Sequence, residues 1–216
     1  MDIRSASFLT SMADYSEAAP ITLPQLAVVG RSNVGKSSLI NALCNRKKLC
    51  KVSGTPGKTR LINVFLINEA FHLVDLPGYG FAKVDKAEKM RWGRMMERYF
   101  RESTLLTHAL LLVDIRHEPT ADDVSMGAFF RGNGIPYTVI ATKADQISRG
   151  ARQKHLAPIC RAMLVQPWEV VVFSSESGEG REALLTKIET AMTSALSAGE
   201  VCDTIITEES RPQTAE

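Results

Sequence analysis

Gly30-Arg31-Ser32-Asn33-Val34-Gly35-Lys36-Ser37 has the spacing G-x-x-x-x-G-K-[ST] and follows the apolar run Gln25 to Val29. That spacing suits a phosphate chain. The two glycines let backbone N–H groups approach oxygen closely, and a helix opening at Lys36 offers unpaired donors and the positive end of its dipole. In such a loop Lys36 reaches the β- and γ-phosphates, and the Ser37 hydroxyl is a ligand for Mg²⁺.

A phosphate loop does not choose the base, and Thr142-Lys143-Ala144-Asp145 does. Guanine presents two adjacent donors, N1–H and the 2-amino group, and the acceptor-only carboxylate of Asp145 can take both. Adenine has an acceptor where N1–H would be and would leave that carboxylate desolvated. Lys143 is expected to lay its aliphatic stem along the base. Asp75-Leu76-Pro77-Gly78 is a D-x-x-G motif, with Asp75 contacting Mg²⁺ through water and the Gly78 N–H available to the γ-phosphate. Phe173-Ser174-Ser175 can close amides and hydroxyls around the guanine O6 edge. Each short motif is weak alone, but the four in this order point to a GTPase.

The loop from Cys50 to Arg60 holds two candidate switch threonines, Thr55 and Thr59. The Mg²⁺-binding threonine has to sit at the loop's end, just before the next strand, which selects Thr59. Pro56 and Gly57 suit a loop that orders when the γ-phosphate arrives.

These residues need elements to hold them. Short apolar runs alternating with helix-period segments predict an α/β fold with crossover helices on a largely parallel sheet. Six strands are expected, at Gln25 to Val29, Leu61 to Ile67, Phe71 to Asp75, Thr107 to Asp114, Tyr137 to Thr142 and Glu169 to Phe173. Helices are expected at Lys36 to Asn45, Asp85 to Arg101, Thr120 to Arg131, Ser148 to Leu164, with Pro158 as a kink or break, and Gly180 to Ala198. Only Asn68, Glu69 and Ala70 separate the second and third strands, too few for a parallel crossover, so one antiparallel pair is expected at an edge. Residues 1–21 read as an N-terminal extension, 22–198 as the nucleotide-binding domain, and 199–216 as an acidic tail.

With 216 residues, 44% hydrophobic and 23% charged, the chain reads as one soluble globular domain with extensions. No apolar run is long enough to cross a bilayer, and the N-terminus lacks the order of a secretory signal. The tail from 199 holds five acids and one base, a net −4, so the +2 of the whole chain leaves +6 on the rest. Cys44, Cys50, Cys160 and Cys202 lack CxxC or zinc spacing and read as reduced thiols of a cytoplasmic protein.

The segments GRSNVGKS, SGTPGKTRLINVFLIN, DLPGYGFA, TKAD and FSSESGEG resemble the EngB (YihA/YsxC) family of bacterial GTP-binding ribosome-assembly proteins, in the TrmE-Era-EngA-EngB-septin-like superclass. The likeness spans about residues 20 to 195. It implies a P-loop G domain that binds GTP or GDP with Mg²⁺, acts in assembly of the large ribosomal subunit, contacts its rRNA and proteins, and is linked to normal division septum formation. It implies a monomer without membrane attachment. Nucleotide contacts carry over to Gly30, Arg31, Ser32, Asn33, Val34, Gly35, Lys36 and Ser37. They continue with Gly57, Lys58, Thr59, Arg60 and Leu61, then Asp75, Leu76, Pro77 and Gly78. The base end takes Thr142, Lys143, Ala144 and Asp145 with Phe173, Ser174 and Ser175. Magnesium falls on Ser37 and Thr59.

Many GTPases place a water-orienting Gln just after D-x-x-G, whereas Tyr79 and Gly80 stand here, so slow hydrolysis is expected from Lys36, Mg²⁺ and loop amides. Tyr79 is read as packing beneath the loop. Asn33 has two readings, a K⁺ ligand beside the phosphates or a structural hydrogen bond within the loop. Six bases without an acid lie between Arg46 and Arg60, and seven more from Lys83 to Arg101 are interleaved with Trp92, Tyr99 and Phe100. RNA contact and a plain solvated face are the two readings of these runs.

Overall fold

The computed structural model describes residues 1–15, 21–50, 61–80 and 86–194. The strands are β1 (Ala6–Met12), β2 (Gln25–Gly30), β3 (Ile62–Ile67), β4 (Phe71–Asp75), β5 (Leu106–Asp114), β6 (Tyr137–Thr142) and β7 (Val171–Val172). They make one sheet in the order β1-β3-β4-β2-β5-β6-β7. The pairs β2–β4, β2–β5, β5–β6 and β6–β7 are parallel. Between β3 and β4 the pairing is antiparallel, as the three-residue connection requires.

Six strands were expected and seven are present. The addition is β1, inside the stretch read as an extension, which pairs antiparallel with β3 and stacks Phe8 edge-on against Phe65 at 5.9 Å. Its sequence ASFLTSM shows no clean alternation because neither face is well buried, and Phe8 and Leu9 stay exposed.

Helices α1 (Lys36–Leu43), α2 (Lys86–Glu102), α3 (Ala121–Gly132), α4 (Arg152–Met163) and helical residues 181–194, here α5, cover the sheet. Alternation along β2 explains the two layers. Ala27 and Val29 face a cluster with Met96, Tyr99, Phe130 and Met163 of α2, α3 and α4, whereas Leu26 and Val28 face Leu39, Ile40, Leu184 and Ile188 of α1 and α5. Tyr99 and Phe100 lie in the first cluster, so they are core residues and not stacking surfaces. The helix α4 runs through Pro158, preceded by a 3₁₀ turn at Arg149–Ala151. The expected strand from Glu169 shortens to two residues because a turn, closed by Glu169 N donating to Gln166 O at 3.0 Å, occupies its first part.

Because five strands are parallel, the ends of β2, β4, β5, β6 and β7 open along one rim of the sheet. Every described motif residue lies there, on the loop that follows or in the first turn of the helix after it. Among the described residues no helix is long and apolar enough to cross a membrane.

Candidate nucleotide site

Gly35 is the N-cap of α1 with φ +109°, and no side chain caps that helix. An L side chain is strained in this backbone, so glycine turns the chain and leaves the first amides of α1 for an anion. Gly30 is held against β5 and Val34, since an added Cβ would lie 2.9 Å from Leu112 O and from Val34 Cγ1. The Lys36 Nζ donates to Gly30 O at 3.4 Å. Burial pulls the Lys36 pKa down against the opposing pull of Asp75 and Cys50. A phosphate chain would reverse that penalty by supplying negative charge.

Asp75 ends β4 buried, and burial pushes its carboxyl up while Lys36 and the Cys50 hydrogen bond pull it down. Its Oδ1 has no hydrogen-bond partner among the described residues. A buried carboxylate oxygen left without a donor fits a hydrated divalent cation. Ser37 and Asp75 are the described residues that would hold Mg²⁺. Gly57, Lys58, Thr59 and Arg60 lie outside the described residues, and Leu61 is exposed just before β3.

Cys50 had no assigned role in the sequence and stands at this spot. Its Sγ is 3.7 Å from Asp75 Oδ2, and its main chain is held by Asn41, whose amide accepts from Cys50 N and donates to Cys50 O at 2.8 Å each. Burial and Asp75 push the thiol up to about 11, so it stays protonated and donates.

The base end is tied to the phosphate end by two bonds. Thr142 Oγ1 donates to Val34 O at 2.8 Å, with Val113 O of β5 as its alternative acceptor at 3.1 Å, and Lys143 Nζ donates to Asn33 O at 2.8 Å. The same ammonium is 2.9 Å from Asp114 Oδ2, which also receives Arg116 Nη2 at 2.8 Å. Burial alone would raise the Asp114 carboxyl, but the Arg116 and Lys143 hydrogen bonds outweigh it and hold it well below the usual range. Asp114 lies at the end of β5, outside every motif, and only its place in the sheet reveals that it orients Lys143.

Asp145 is exposed, with Oδ1 accepting from Ser174 Oγ at 2.6 Å and Oδ2 accepting from Gln146 Nε2 at 2.8 Å. The Ser174 and Gln146 hydrogen bonds hold its carboxyl below the ordinary range. Of the three residues expected around guanine O6, Ser174 has its hydroxyl engaged: it aims Asp145 and accepts from the amides of Glu176 at 3.2 Å and Ser177 at 3.1 Å. A cavity of about 200 Å³ between these parts is lined by Gly35, Lys143, Asp145, Phe173 and Ser175, joined by Ser38 and Glu176, which the motifs did not single out. Ala144 is buried behind it, its N–H on Phe173 O at 3.1 Å.

Tyr79 packs beneath the D-x-x-G loop, its hydroxyl donating to Asp123 Oδ1 at 2.8 Å. Asn33 is exposed with φ +61°, and its side chain makes no hydrogen bond among the described residues.

Residues 25–143 match the family model described as 50S ribosome-binding GTPase. A probable GTP-binding protein EngB of Bacillus mycoides is 49% identical over 183 residues, 84% of this chain and 92% of that protein. The chain belongs to the EngB family of GTP-binding proteins. An EngB of Desulfitobacterium hafniense is 46% identical over 188 residues, covering 87% and 94% of the two chains. The crystal structure of a probable EngB has a TM-score of 0.65 at 26% identity, covering 79% of this chain and 99% of that one. A structure of Aquifex aeolicus Era bound to GDP.AlF4-, at 24% identity and TM-score 0.63, shares the fold. Membership in EngB makes the chain a GTP-binding protein of a GTPase family, which takes GTP or GDP with Mg²⁺.

Proposed function

We propose that this protein is a slow GTPase switch that acts in the cytoplasm, as a monomer, on the large ribosomal subunit during its assembly. The carrying observation is the exposed cluster Arg46, Lys47 and Lys48, which makes no ion pair among the described residues and ends two residues before Cys50 at the Asp75 site. Unpaired cations beside a nucleotide-gated loop suit rRNA phosphates. The α2 bases support it less, because Arg98 pairs with Glu102 at 2.8 Å and Arg101 with Glu97 at 3.0 Å. The family's description as 50S ribosome-binding favours the same partner. The link to septum formation rests on the family resemblance.

Slow turnover follows from the residues around Gly78. No Gln follows the motif, and the Tyr79 hydroxyl is engaged by Asp123, so among the described residues next to Gly78 no side chain is free to orient water. Bound Mg²⁺ supplies charge to the phosphates; Lys36 and the α1 amides stabilise the rest. The exposed Asn33 amide favours the K⁺ reading over the structural one, and turnover at matched ionic strength should be faster in K⁺ than in Na⁺.

Co-sedimentation with purified 50S subunits tests the main reading. Binding should be stronger with a non-hydrolysable GTP analogue than with GDP, and Thr59→Ala should remove the difference. Equal binding in both states would overturn it.

A further inference from the structure

The D-x-x-G loop is tied down at two points. Tyr79 O accepts from Ser32 N at 2.9 Å, and Tyr79 forms a parallel bridge with Arg31. Its side chain reaches the other way, to Asp123 Oδ1 at 2.8 Å. Asp123 is itself fixed at the start of α3, where Oδ2 accepts from Thr120 N at 2.9 Å and Thr120 Oγ1 at 2.8 Å. Tyr79 thus runs from the phosphate loop to a capped helix.

This placement decides where Gly78 sits. A Cβ built on Gly78 falls 2.9 Å from Lys36 Nζ, 2.9 Å from Ser32 N and 3.0 Å from Ser32 Cα. A point about 2.9 Å from an ammonium is where a phosphate oxygen accepts from it, and here that point is one bond, about 1.5 Å, from the Gly78 Cα. On its other side Gly78 lies against the Ser32 backbone, whose N–H is turned to the Tyr79 carbonyl. The loop as pinned therefore stands against the Lys36 ammonium where a terminal phosphate oxygen would accept. The α1 amides, which meet the inner phosphates, are clear of it.

We propose that Tyr79 is a positioning residue that sets the discrimination between nucleoside di- and triphosphate: through Asp123 it holds Gly78 in the γ-phosphate subsite, so a triphosphate must displace the loop and a diphosphate need not. The inference rests on the guanine-nucleotide reading of the site. It gives α3 a part in nucleotide choice, although α3 carries no nucleotide motif.

The test is the ratio of dissociation constants for a non-hydrolysable GTP analogue and GDP, measured by calorimetry on the full chain with Mg²⁺. Tyr79→Phe keeps the ring and removes the hydroxyl. It should tighten the analogue about three- to tenfold, the range for one lost hydrogen bond, with GDP unchanged. Asp123→Ala should move the ratio the same way, and the double variant no further than the larger single effect, since both cut one link. Phe130→Leu, a core change on the same helix, lowers stability without touching the link and should keep the wild-type ratio. An unchanged or reversed ratio in Tyr79→Phe, or an equal shift in Phe130→Leu, overturns the proposal while leaving the nucleotide reading intact. Failure of wild type to bind either nucleotide would overturn both.

Discussion

A carboxylate that must accept two guanine donors has to be ionised and aimed, and Ser174 does both for Asp145. Asp145→Asn should therefore weaken GDP by about 1.5–3 kcal/mol per charged hydrogen bond lost and admit xanthosine diphosphate, as a nucleotide titration would read. Ser174→Ala acts on the proton. The folded pKa of Asp145 lies below its ordinary value, so the acceptor form, and with it guanine binding, persists below the ordinary value and is lost only as pH falls through the lowered folded pKa. Without the Ser174 hydroxyl the carboxyl moves back towards its ordinary value, and GDP affinity should begin to fall at a higher pH than in wild type. Coincident pH profiles for the two proteins would show that the hydroxyl does not tune the carboxylate.

At the scale of elements, the turn from β7 into α5 is the tightest point. Gly180 has φ +80°, and a Cβ there would lie 2.0 Å from Val172 O. Gly180→Ala adds left-handed strain to direct overlap with backbone, so urea denaturation should give a loss of about 3 kcal/mol or more. β2, β4, β5 and β6 were legible because strands buried on both faces read as apolar runs, three of them ending in motifs, so their boundaries agree within a residue. β1 was not, because an edge strand with exposed Phe8 and Leu9 carries no alternation, and its pairing with β3 is specified by that partner. The site divides in the same way. Lys36, Asp75 and Asp145 announce themselves by local spacing, whereas Cys50, Asp114 and Asp123 act through contacts with residues 25, 29 and 44 positions away. Such contacts leave no local signature.

Over the whole molecule, charge is uneven, and the exposed cluster at Arg46, Lys47 and Lys48 is the part proposed to meet the 50S subunit. Changing Lys47 and Lys48 together to Ala should lower 50S affinity and reduce the slope of log affinity against log salt by about two counterions. An unaltered slope would move the contact elsewhere on the surface. The two ends of the nucleotide site belong to different halves of the sheet, phosphates on β2 and β4 and base on β6 and β7, joined by the Thr142–Val34 and Lys143–Asn33 bonds. A nucleotide is then a chelator that grips two half-sites at once, and its affinity depends on how firmly their separation is kept as well as on either grip. Asp114→Asn slackens Lys143 and loosens a longer, 3.9 Å ion pair to Arg31 of the phosphate loop, so it should weaken GDP more than inorganic pyrophosphate, since a ligand that spans one half alone gains nothing from the span.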